Sequence, residues 1–401
     1  MSRPRIGLAP LLHGLLFIFA ATQTAIVPLL ARISHAYGLT PTSEALVLAA
    51  PGLATLAISM PAGLFADRLG PRRVTVVATA LGALGALAQA APSYAMLVGG
   101  RLLFGLAFGV VWTTGVVWLS GEGEGSGSPR LGAVATSAAA GSALGPALGG
   151  VLADGFGIGT PFLLVGTISL ALTAALWRQP PATVRADAAV PSLHQLFRVA
   201  PRQPGVVNGA LVLAIVGAVG GITQLLVPLE LHHAGFSAAA IGVAFSVAAL
   251  VYIAVSALAV RGGHRLTTPR AAAITGVLLA AALLPAGFSV APVVVIGMLM
   301  LSTVPRAVAS TVSYPLATGA AALAGLGDGV VIGLLNVTWA LGLVLAPLIA
   351  GPVDQAFGPT TAYLVCAVPA AAAALWLLLR PAARARARAA ADTAEHALGC
   401  A

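Results

Sequence analysis

Gly63-Leu-Phe-Ala-Asp67-Arg68-Leu-Gly70-Pro-Arg72-Arg73 is a short charged island between two apolar runs, at about 44–65 and 74–91. Four of its eleven residues carry charge, in a chain of 401 residues with only 20 basic and 11 acidic side chains. Gly63 and Gly70 permit close helix approach and a tight turn. The arginines favour an inner membrane surface with its anionic headgroups. The stretch therefore reads as a polar turn between two membrane-crossing helices, and the rest of the chain repeats that arrangement.

Charged residues make up 8% of the sequence and hydrophobic residues 59%, against about a quarter charged in soluble proteins. Mean hydropathy is +1.00. Such a chain cannot cover a soluble exterior, and it is too apolar to stay disordered. Aromatics are only 5% and Gly reaches 47, which suits close helix packing better than a membrane barrel. Apolar stretches fall at about 8–30, 44–65, 74–91, 94–119, 131–153, 160–177, 205–229, 236–260, 270–288, 291–314, 328–350 and 360–379. The expected class is an all-α polytopic membrane protein with twelve spans of about 20 residues each. Only Asp328 and nearby glycines mark the break before the eleventh span.

All 20 basic residues are arginine, and the sequence contains no lysine. Their placement argues for membrane orientation and against nucleic acid. With the N-terminus inside, 17 fall on the inner side, Arg32 lies outside, and Arg101 and Arg306 lie within spans. This is the positive-inside bias, and it puts both termini in the cytoplasm. The basic start leads into a run too long for a cleavable signal. Cys366 and Cys400 make no disulfide framework. Residues 178–204, rich in proline, are expected to link a six-span bundle at 1–177 to a second at 205–379, followed by an Arg-rich tail at 380–401. An amphipathic helix is expected around Ser192–Val199. The halves echo each other: Thr22-Gln23 recurs as Thr223-Gln224, and Pro146–Gly150 recurs as Pro347–Gly351. Internal duplication of this kind is common in secondary transporters.

The 63–73 turn resembles the signature loop between the second and third helices of the major facilitator superfamily. That resemblance implies the major facilitator fold, two pseudo-symmetric six-helix bundles. It also implies an inner latch of Gly63, Asp67, Arg68, Gly70, Arg72 and Arg73 against the start of the eleventh span at Asp328, with Arg68 or Arg72 approaching Asp328 in the outward-facing state. Gly141, Gly145, Pro146, Gly149 and Gly150 resemble the fifth-helix motif of the antiporter branch. The glycines at every fourth position make one smooth stripe and the proline favours a bend; the antiport assignment itself comes from the resemblance. Arg101, Gly105 and Gly109 are similar to the fourth-helix motif, whose arginine the family associates with proton transfer. The second-half counterpart of the signature loop, Arg261–Arg265, lacks the acidic residue.

Polar side chains inside spans are the default site candidates. Gln23, Trp112, Thr113, Gln224, Arg306, Tyr314, Asn336 and Trp339 are candidates for the substrate cavity, Gln23 and Gln224 as equivalent positions of the repeat. Arg306 favours an anionic substrate. No carboxylate lies well inside a span, which leaves three readings: proton coupling through Asp67 or His13 with Arg101 modulating, coupling through an outer-end group such as Glu230 or Glu44, or no proton coupling. His232-His233 read as an outer loop without metal-ligand spacing. No phosphate-cradling motif and no catalytic constellation occur. The expectation is a non-enzymatic, monomeric inner-membrane transporter without metal or cofactor. It is expected to exchange a small neutral, amphipathic or anionic compound for protons. Uptake by the same fold, or a non-transporting receptor, are the rival readings.

Overall fold

The computed structural model describes residues 7–120, 128–180, 199–262, 266–322 and 328–399. Within these it leaves aside the side chains of residues 59, 60, 63, 64, 67, 116, 117, 120, 128–135, 328–330 and 380–399. The expected latch residues Gly63, Asp67 and Asp328 are described as helical backbone only, and most of the expected linker helix falls outside what is described.

Twelve helices follow in order among the described residues. They are α1 Leu8–Tyr37, α2 Pro41–Leu69, α3 Pro71–Gln89, α4 Tyr94–Ser120, α5 Ser128–Phe156, α6 Thr160–Trp177, α7 Pro204–His233, α8 Ala238–Arg261, α9 Pro269–Gly287, α10 Pro292–Ala322, α11 Asp328–Phe357 and α12 Pro359–Gly399. Ten of them are long and apolar enough to cross a membrane by composition alone. The other two are α3, which opens on Arg72 and Arg73, and α5, whose middle is Gly, Ala and Ser. Local chemistry sets several starts. Thr40, Ser237 and Thr268 accept backbone N–H bonds that cap α2, α8 and α9. Gly157 (φ 98°) and Gly358 (φ 83°) make the same left-handed turn after α5 and after α11.

Several helices outrun their apolar stretches. α1 passes through a 3-10 turn at Val27–Leu29, around Pro28, and continues to Tyr37. α7 includes His232 and His233, which therefore end a helix and do not form a loop. α12 continues as helical backbone to Gly399. Large apolar side chains stand exposed on the outer faces of the bundles, Leu163, Leu258 and Leu375 among them. On a membrane protein those faces meet lipid tails.

Packing shows the pseudo-symmetry directly. In the first six helices α1 packs on α5, α2 and α3 on α4, and α3 on α6. In the second six, α7 packs on α11, α8 and α9 on α10, and α9 on α12. Adding six to each number converts one bundle into the other. The bundles meet through α5 on α8 and through α2 on α11, a pair of contacts that the same operation exchanges.

Candidate functional site

The contacts between bundles gather where α5 and α11 end, the outer side on the arginine-based orientation. At one of them the Gly150 backbone lies against Ala238 and Ala239, and Gly242 lies against Pro146. The Ser246 hydroxyl accepts from Ala147 N at 3.0 Å. At the other, Gly351 lies against Pro41 and Ala45, and the Thr42 hydroxyl donates to Gln355 at 2.7 Å. Lipid supplies no hydrophobic force between helices, so small residues that admit backbone contact make the seam.

The fifth-helix motif divides between two neighbours. Gly141, Gly145 and Gly149 press on Phe17, Ala21 and Ala25 of α1, inside the first bundle. Thr24 reinforces that contact by donating to Ser142 O at 3.1 Å. Gly150 and Pro146 face α8 across the seam. The sequence stripe is therefore packing within the first bundle, and the residue beside it meets the other bundle.

Asp154 ties the outer seam by charge. It pairs with Arg32 at 2.8 Å and accepts from Ala239 N, at the start of α8, at 2.7 Å. A carboxylate on a helix N-terminus is stabilised by the backbone amides and the helix dipole. Replacing Asp154 with Asn should weaken outer closure by about 1 kcal/mol. In spin-label distance measurements across the seam, that is a roughly fivefold lower closed-to-open ratio.

Just inside the second contact Glu44 and Glu230 each lie within electrostatic range of Asp354. Glu44 is only 4% exposed, and the Tyr363 hydroxyl is buried and unpartnered. His233 faces Asp354, Ser34 faces Glu44, and Tyr363 faces both Glu230 and Asp354. Bringing ionised carboxylates together out of water is unfavourable, so closing the seam and binding protons reinforce each other. Outer acidification should raise the closed population, and Glu230→Gln should flatten that pH dependence in the same distance measurement.

Below the seam lies a cavity of about 20 Å³, lined by Gln23, Leu48, Gly52, Arg101, Gly221, Gln224, Leu343, Val344 and Pro347. It joins three of the residues singled out from the sequence, two of them equivalent by the repeat. Arg101 is 1% exposed; its Nε donates to Val47 O at 3.1 Å, while Nη1 is buried without a partner. Arg101 therefore does not snorkel to the outer interface. Arg306 sits near the middle of α10, with its guanidinium 5.5 Å from the Tyr252 ring centroid and its buried Nε unpartnered. Gly220 of α7 leaves room beside it. Tyr252 carried no signal in the sequence beyond being a lone tyrosine within a span.

The other candidates scatter. Tyr314 donates to Asn336 at 2.6 Å, linking α10 to α11. Thr113 bonds back to Gly109 O within its own helix. Trp112 stacks on Phe108, and Trp339 is partly exposed on α11. His13 lies 3.0 Å from the Ser137 hydroxyl, between α1 and α5. On the inner side Arg72 donates to Trp177 O and lies over that ring, while Arg68 is exposed. Arg72 here holds the end of α6 within its own bundle. Among the described residues no group of His, Cys, Asp or Glu is placed to hold a metal.

The Major Facilitator Superfamily profile matches residues 12–327. The chain belongs to the major facilitator superfamily. It is thus a multi-pass membrane protein with the fold of a superfamily of alternating-access transporters, which does not act by catalysis. Over 175 residues it is 33% identical to the multidrug efflux pump LfrA of Mycolicibacterium smegmatis, covering 43% of this chain and 34% of that one. Over 133 residues it is 34% identical to a PmrA-homologue multidrug resistance efflux pump of Lactococcus lactis, covering 33% and 32%. In both cases the matched stretch spans about a third of the relative's length. Among solved structures, an inward-facing, unoccupied bacterial homologue of the human lysosomal transporter Spinster superposes with a TM-score of 0.75. It has 16% identity over 96% of each chain. The nucleoside transporter NupG superposes at 0.73, with 14% identity over 93% of this chain and 99% of its own. These two share the superfamily fold with this chain.

Proposed function

We propose that this superfamily member exports a small neutral or anionic compound in exchange for protons, as a multi-pass protein of the bacterial inner membrane. In this reading residues 1–177 and 205–379 are the two rocking bundles and 178–204 the cytoplasmic linker. The outer seam described above is the closed gate of the inward-facing state. Asp67 and Asp328, with the arginines of the 63–73 turn, form the inner latch of the opposite state. The fifth-helix glycine motif and the two efflux-pump relatives support the outward direction.

The observation that carries the substrate class is the charge inside the spans. Arg306 stands mid-helix with a buried unpartnered nitrogen, while the carboxylates described sit toward helix ends. A cation would meet guanidinium there, whereas an anion or a neutral hydrogen-bond acceptor would be held. Trp112 and Trp339 offer apolar wall.

The test is a substrate panel on everted vesicles with and without a pH gradient. Gradient-driven uptake of an anionic or neutral compound into everted vesicles is the expected result. Preferred transport of a dicationic dye overturns the substrate class; movement in the opposite sense establishes uptake instead. Arg306→Gln should reduce kcat/KM for an anionic substrate at least about tenfold, a loss of about 1.4 kcal/mol. It should reduce that for a neutral substrate much less.

A further inference from the structure

Arg101 poses an electrostatic problem that export chemistry does not address. An arginine keeps its proton in proteins, and a buried charge without a counter-charge costs several kcal/mol. At 1% exposure Arg101 makes one hydrogen bond, from Nε to a backbone carbonyl, and Nη1 has none. Among the described residues no carboxylate pairs with it. Glu44, one turn further out on α2, faces Asp354 and Ser34, and the ion pair of the outer seam is Arg32 with Asp154.

The cavity beside Arg101 supplies the answer in its shape and its lining. Its volume of about 20 Å³ admits one water-sized body and excludes any organic substrate. Arg101 and Gln23 come from one bundle and Gln224 from the other, while Leu48, Leu343, Val344 and Pro347 form apolar wall. The Gln23 carboxamide also has a buried atom without a partner. Rotated about its last bond, a carboxamide presents an N–H donor in place of its oxygen. Guanidinium and two amides in an apolar, one-atom cavity make a donor set for a monatomic anion.

We propose that this cavity binds a monovalent inorganic anion of chloride size, held by Arg101, Gln23 and Gln224. Gln224 reaches the anion only when the bundles meet, so the anion favours the outer-closed state. The ion neutralises a fixed arginine and is not the transported compound. The inference goes beyond the export reading and stands whatever the substrate is.

The test uses the purified full chain with chloride or bromide titrated into gluconate, an anion too large for the cavity, at constant ionic strength. Two readouts are taken: thermal unfolding, and the distance between spin labels at Ala95→Cys and Ala234→Cys with Cys366 and Cys400 replaced. These label sites are exposed, one on each bundle. The expected result is a saturable upward shift in unfolding temperature with a matching rise in the short-distance population. Arg101→Gln and Gln224→Leu should each lower halide affinity at least about tenfold, and Arg306→Gln should leave it unchanged. If Arg101→Gln does not fold, Arg101→Lys and Gln224→Leu carry the comparison. A wild-type response no different from gluconate, or a halide response that persists in the Arg101 and Gln224 variants, overturns the proposal and leaves the cavity to water.

Discussion

Gly150→Val should abolish transport while leaving the protein folded, by holding the outer side open. A Cβ at Gly150 would overlap the backbone of Ala238 and Ala239 at the start of α8. Backbone cannot rotate away as a side chain can, so the two bundles must separate there. The three atoms nearest that Cβ all belong to the partner bundle, so the strain falls on the contact between bundles. Expression and unfolding temperature should remain near wild type. The distance across the outer seam should lengthen, and turnover should fall below detection. Gly150→Ala should give an intermediate population, since overpacking by one methyl costs less than by three. A Gly150→Val protein that still closes and transports would mean that the α5–α8 contact is not the gate.

Gly145→Val, five positions earlier in the same motif, should instead destroy the fold. Its Cβ would overlap Ala21 O and the Thr24 hydroxyl of α1, and those two helices pack within one bundle, which rocking moves as a unit. No rocking movement relieves the clash. Small-to-large changes in packed interiors cost typically 1–3 kcal/mol; with backbone on the receiving side we expect at least about 3 kcal/mol. The Thr24 bond to Ser142 O would be lost as well. The measurement is yield of monodisperse protein and unfolding temperature in detergent, both expected to fall sharply. Comparing the two valine variants separates motif residues that build a bundle from those that let bundles meet.

Sequence alone made the spans legible because lipid imposes a single strong rule: backbone must bond to itself and side chains must be apolar. Helix ends were less legible, since capping at Thr40 or continuation past Pro28 depends on local geometry that composition does not record. The candidate site was legible in part. Gln23 and Gln224 stand out as equivalent repeat positions, and they do share one cavity with Arg101. Which neighbour each glycine touches was not legible: Gly149 and Gly150 look alike in the sequence and face different bundles. Tyr252 and the buried Tyr363 hydroxyl were also silent, because a lone tyrosine within a span has no pattern to betray its partner. The latch expected from the 63–73 turn remains a proposal, with Arg72 here engaged at Trp177.

A gate built from backbone at Gly150, Gly242 and Gly351 bears on how this protein can change over generations. At those three positions any added side chain meets main chain across the seam, or an alanine Cβ as well at Gly351, so nearly every single substitution is closed off. The Tyr252 ring beside Arg306 and the exposed Trp339 side chain carry no such restriction. Selection for a new cargo should therefore return variants at Arg306, Tyr252 or Trp339, and none at the three glycines. The molecule separates a part free to drift in specificity from a part held fixed by geometry.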